Sequence, residues 1–127
     1  MNKKVNELIP KALAAITASE MASADSVDKE YKGYIASMGA SIIQSGLIAT
    51  IAFYSNKQSG SADKRLKLMK AIVKTILNTN SDEKLLDYLL TGSHNGTNKP
   101  EIDKFEKQIS DALIALKLAL RTFQQKE

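Results

Sequence analysis

Between Lys57 and Lys74 the chain places six basic residues, Lys57, Lys64, Arg65, Lys67, Lys70 and Lys74, against the single acid Asp63. The window carries a net +5, more than the +4 of the whole 127-residue chain. Lys64, Lys67, Lys70 and Lys74 recur at spacings of three and four, so on a helix they occupy one arc and climb about 15 Å. An ammonium row of that length spans several phosphates of one nucleic-acid strand, and its chemistry is charge neutralisation along a backbone. The competing reading is that four lysines simply solvate the outer face of a bundle helix. No aromatic ladder is interleaved with them, so stacking on single-stranded bases is not indicated.

Other reactive groups are sparse. The chain has no cysteine, which removes thiolate nucleophiles, thiolate metal sites and disulfides. Its one histidine, His94, lies in Gly92-Ser93-His94-Asn95-Gly96-Thr97, a loop-like run with no second histidine to share a metal. The carboxylate pairs Asp82 with Glu83 and Asp103 with Glu106 fall near predicted helix starts or opposite lysines, where they serve the helix dipole. Neither glycine-containing turn matches a phosphate-binding loop. The expectation is therefore no catalytic set, no metal and no cofactor.

These residues need elements to hold them, and the periodicity is helical almost throughout. A first helix is expected over 6–22, with Val5, Leu8, Ile9, Ala12, Leu13 and Ile16 on one side and Pro10 in its first turn or at a kink. Residues 22–26 read as a connection. A second helix follows over 27–43, capped by Asp25 or Ser26, with Val27, Tyr31, Tyr34, Ile35, Met38 and Ile42 as its stripe. Ser45-Gly46 breaks the pattern and a third segment resumes over 47–56. The lysine-bearing helix spans 62–78, with Leu66, Leu68, Met69, Ile72, Val73, Ile76 and Leu77 opposite the lysines. A fifth helix is expected over 82–90, and a long sixth from about Lys99 to Gln124, opened by Asn98, Pro100 and Glu101. No run alternates long enough to predict a strand. The fold class is all-α, a single compact bundle of about six helices within one domain.

The last helix carries a second feature. Ile102, Phe105, Ile109, Leu113, Leu116, Leu120 and Phe123 form the expected stripe, but Ile114 and Leu118 lie off it, near Lys117 and Arg121. Either this helix is central in the bundle or the pair marks a partner surface. The longest apolar run, 42–54, has 13 residues and includes Gln44, Ser45, Gly46 and Thr50. A membrane span needs about 20 apolar residues. Asn6, Glu7 and Pro10 interrupt any signal-like start, so a soluble, cytoplasmic protein is expected.

Tyr34, Met38, the run Ile42-Ile43-Gln44-Ser45-Gly46-Leu47 and Ile51-Ala52-Phe53 resemble the signature of the small subunit of the type III-B CRISPR effector, the Cmr complex. In that family an aromatic helix leads into an apolar turn with asparagine, glycine and leucine, then an alanine-phenylalanine pair and a lysine, matched here by Lys57. Leu113-Ile114-Ala115-Leu116-Lys117 in the long last helix is also similar. Ser45 stands where the family often has asparagine, and Gly39-Ala40 replaces a segment that commonly contains proline. The resemblance implies a subunit without nuclease activity that stacks with copies of itself in a minor filament and lines a basic channel for the crRNA–target RNA duplex. Its implied partners are the other subunits of a type III-B effector, crRNA and target RNA, in antiviral defence.

Together the two lines of reasoning predict an RNA-binding, non-enzymatic scaffold. Lys57 is supported by motif position and Lys64, Lys67, Lys70 and Lys74 by charge. Lys117 and Arg121 are secondary RNA-binding candidates, and Ile114 and Leu118 a protein interface. The rival is a helical adaptor that binds a protein and never touches RNA.

Overall fold

The computed structural model describes residues 3–23, 26–54, 62–77 and 99–126. The first helix, α1 (Lys3–Ala18), buries Val5, Leu8, Ala12, Ala15 and Ile16, the three- and four-residue steps of one helical face. It starts three residues before the expected position, so Pro10 sits in its interior rather than its first turn. Pro10 is exposed, where water can take the carbonyl that its missing N–H leaves open. The helix ends in a Schellman arrangement: Glu20 N–H donates to Thr17 O (3.1 Å) and Met21 N–H to Ile16 O (3.1 Å). Glu20 holds the left-handed φ of 67° at which glycine is usual. Met21 and Ile16, joined by the bond that spans more residues, are both buried.

A small sheet follows, which corrects the purely helical expectation. β1 (Ala22–Ser23) pairs antiparallel with β2 (Ser26–Asp28), in register Ala22 to Val27. β2 then pairs in parallel with β3 (Gln124–Lys126), Ser26 opposite Gln124 and Asp28 opposite Lys126. Val27, expected as the first apolar residue of a helix, is instead the buried centre of β2. Strands of two or three residues are too short to show alternation, so the pattern along the chain could not reveal them.

α2 (Glu30–Ser45) therefore starts later than expected, after Lys29, which makes no side-chain capping bond; of the expected caps, Ser26 stands in β2 and Asp25 lies outside the described residues. Its buried stripe is Tyr31, Ile35, Met38 and Ile42. Gly46, at φ 90° and ψ 163°, ends α2 by donating to Ile42 O and opens α3 (Leu47–Tyr54) by accepting from Thr50 N. α3 folds back along α2. The Ser41 and Thr50 hydroxyls meet at 2.8 Å, and Tyr54 OH donates to Tyr34 O at 3.2 Å.

α4 (Ala62–Ile76) and α5 (Lys99–Leu120) complete the described helices. α5 packs most extensively on α1, and both bring fully buried alanines, Ala12 and Ala15 against a helix that buries Ala112, Ala115 and Ala119. Small residues let two helix backbones approach. α4 lies against α1 on one side and touches α5, α2 and α3. α5 ends at Leu120 rather than Gln124, through tight turns at Arg121, Thr122 and Phe123 that lead into β3. The protein is thus predominantly helical with a three-stranded sheet, and five helices lie among the described residues. The predicted helix over 82–90 lies outside them. Among the described residues no helix is long and apolar enough to cross a membrane.

Candidate nucleic-acid interface

The basic residues expected to share one face are divided by the packing of α4. Its first turns, from Asp63 to Lys67, are exposed or half-buried, but Leu68, Met69 and the run Ala71–Thr75 are buried. Lys70 is exposed. Lys74, expected on the solvent arc, retains only 7% of its surface. The correction follows from the burial of every residue from Ala71 to Thr75, which leaves that turn of α4 no outer face. Helical periodicity reports which residues share an arc, not how many neighbours surround the helix.

Lys64 is engaged across the fold. Its Nζ lies 2.6 Å from Glu30 Oε1, in the first turn of α2, and 3.2 Å from Asp28 Oδ2 at the end of β2. Tyr34 OH donates to the other oxygen of Glu30 at 3.1 Å. The bonds to Glu30 and then Asp28 hold the Lys64 ammonium above the ordinary lysine range. In return the Lys64 bond, followed by that of Tyr34, holds the Glu30 carboxyl below its usual range. Lys67 pairs with Asp63 one turn earlier at 3.3 Å, and the Asp63 carboxylate is largely open to solvent. Glu20, Met21, Ser23, Asp28, Tyr31 and Asp63 join Lys64 and Lys67 around a pocket of about 250 Å³. Burial pushes the Tyr31 hydroxyl up to about 12, with Asp28 and then Asp63 adding to it.

Arg65 takes a different role. Its guanidinium lies 4.8 Å from the centre of the Phe53 ring and 5.6 Å from that of Tyr54, a cation–π contact between α4 and α3. Lys117 and Arg121 are both exposed, at the C-terminal end of α5 and just beyond it. The expected pair Ile114 and Leu118 separates: Ile114 is 48% exposed, whereas Leu118 is half-buried against the core. Lys57 and His94 lie outside the described residues. Among the described residues no cluster of three histidine, cysteine, aspartate or glutamate side chains could hold a metal.

A second surface was not foreseen. Ile43 is 85% exposed, Phe53 is 55% exposed, and Ile48 is partly open. The exposed residues of α3 are Ile48, Ala49, Ala52 and Phe53, so this helix is apolar on its outer side as well as its inner one. A signal was present: no charged residue occurs from Gly33 to Asn56. A surface helix of a free monomer ordinarily carries a polar side.

The arrangement can therefore neutralise phosphate through Lys70 and Lys67 and can bury apolar area against a partner. No curated protein and no solved structure matches the chain. The family model described as CRISPR-associated protein (Cas_Cmr5) matches residues 6–111, a span that includes β1, β2, α2, α3, the basic α4 and about half of α5. The chain therefore belongs to the Cas_Cmr5 family, that of the small subunit of the type III-B Cmr complex.

Proposed function

We propose that the protein is a non-catalytic small subunit that stacks with copies of itself beside the crRNA-bearing backbone and touches the crRNA–target RNA duplex through the α4 face. The family match over residues 6–111 carries this reading, since a Cmr subunit works within an RNA-guided assembly. Within such an assembly base pairing reads the sequence, and protein contacts to the backbone need only be basic and correctly spaced. Lys70 and Lys67 are the cations of α4 best placed for phosphate, with Lys57 preceding them in sequence and Lys117 and Arg121 as a separate basic pair. Lys74 is withdrawn by its burial.

The double substitution Lys67→Ala with Lys70→Ala tests this. Retention of target RNA by the assembled complex is expected to fall several-fold, and the salt dependence of duplex binding to lose about two phosphates' worth of slope. The melting temperature stays near that of the parent, because neither side chain belongs to the core. Unchanged RNA affinity at low salt would overturn the phosphate reading.

One observation favours a second reading, that of an adaptor contacting protein alone: the exposed, uncharged surface of Ile43, Ile48 and Phe53. An adaptor of this kind binds its partner with little sensitivity to ionic strength, whereas a phosphate-binding face weakens steeply as salt rises.

A further inference from the structure

We propose that Asp28 and Glu30 set the specificity of the α4 face, holding Lys64 as a displaceable internal pair so that chains of phosphates are taken and single anions are refused. The inference rests on the reading of α4 as an RNA-contacting face and names the residues that tune it.

The geometry supplies the pair. Two carboxylate oxygens, one from β2 and one from α2, stand 3.2 Å and 2.6 Å from the Lys64 ammonium, the positions that phosphate oxygens would otherwise take. Glu30 is fixed on its far side by Tyr34 OH, so the acceptor is held in place rather than sweeping through solvent. Yet all three charged side chains keep between 30% and 53% of their surface open, so a phosphate can reach Lys64 from solvent. Exposed ion pairs contribute little net free energy, and exchanging one anion for another at Lys64 is close to neutral.

Near-neutral exchange separates two kinds of ligand. A lone phosphate that displaces Glu30 gains nothing and then sits beside two carboxylates. A polyanion already bound at Lys70 and Lys67 presents its next phosphate at high effective concentration, and the exchange becomes favourable. Lys67 repeats the device in weaker form with Asp63, whose carboxylate is far more exposed and reaches it from the same helix. The clamp therefore makes occupancy of Lys64 the last contact formed, available only to a ligand with regularly spaced charges.

The test compares the full chain with Glu30→Gln, Lys64→Gln and the double variant, using a duplex RNA of two helical turns and inorganic phosphate as probes. Glu30 is exposed, so its substitution leaves the fold intact. Glu30→Gln is expected to raise duplex affinity about fivefold at low salt, to steepen the salt dependence by about one phosphate, and to raise the affinity for inorganic phosphate. In the Lys64→Gln background the same substitution is expected to change duplex affinity less than twofold. A gain that persists in full without Lys64 is a general charge effect and overturns the proposal. Parent-like binding by Glu30→Gln, while Lys67→Ala with Lys70→Ala weakens binding, overturns the clamp and leaves the RNA reading standing. Absence of duplex binding by the parent and every variant overturns both.

Discussion

Tyr31 is buried on α2 and shares its pocket wall with Asp28, Asp63 and Lys64. Its hydroxyl is raised to about 12 by burial and by the two acids, against an ordinary value near 10. A folded value above the unfolded one favours the neutral phenol in the native state, so this contribution is whole below pH 10 and lost as the pH climbs towards 12. The parent is accordingly expected to lose thermal stability through that window more steeply than Tyr31→Phe, as melting curves across alkaline pH would register. Equal slopes would show that the phenol ionises as freely in the fold as outside it. At this scale the sequence was a partial guide. The row Lys64, Lys67, Lys70 and Lys74 is visible from spacing alone. That Lys64 meets Glu30, 34 positions away, and that Lys74 is enclosed depend on which helices surround α4. Local pattern carries no information about such neighbours.

Two chain reversals set the limits of the helices, and they place opposite residue types at positive φ. Glu20 closes α1 at φ 67°, a conformation that costs an ordinary side chain about 1 kcal/mol and glycine nearly nothing. Gly46 joins α2 to α3 at φ 90° and ψ 163°, a region where a side chain is strained even though open space surrounds the Cα. Glu20→Gly is therefore expected to stabilise the protein by up to about 1 kcal/mol, and Gly46→Ala to destabilise it by about 1–3 kcal/mol. Chemical denaturation of the two variants checks both signs in one experiment. The break at Gly46 was legible, because glycine after serine interrupts a strong apolar period. The stop at Glu20 was not: nothing in Ser19-Glu20-Met21 marks a turn, and the bonds to Ile16 and Thr17 create one. The same holds for β1 and β2, whose few residues are identified by partners rather than by composition.

Taken whole, the molecule has two exterior chemistries in unequal states of completion. Charges on the first turns of α4 are largely matched within the chain, while the outer side of the α2–α3 segment is matched by nothing among the described residues except the Arg65 contact to Phe53. The double substitution Ile43→Glu with Phe53→Glu is expected to leave helix content and melting temperature near the parent values. It should sharply reduce co-purification with the other subunits of the complex. Normal recovery of the complex would place those residues outside its contacts. The long last helix was anticipated as either central or partner-facing, and its residues divide: Leu118 packs on the core while Ile114 stays open.

The parallel pairing of β2 with β3 joins Ser26–Asp28 to Gln124–Lys126, residues far apart in sequence. During synthesis the α2–α3 segment can assemble from near neighbours as soon as it is made, for its contacts at Ser41–Thr50 and Tyr34–Tyr54 span few residues. The β2–β3 pairing must wait until Gln124–Lys126 has been made, and closing so long a loop is slow relative to local contacts. Until then Val27 has only β1 beside it, and Asp28, the next residue, lacks its partner in β3. A nascent chain would thus complete the local packing of α2 on α3 before Asp28 is held beside Lys64, so the ion pairs of α4 are among the last features of the fold to form.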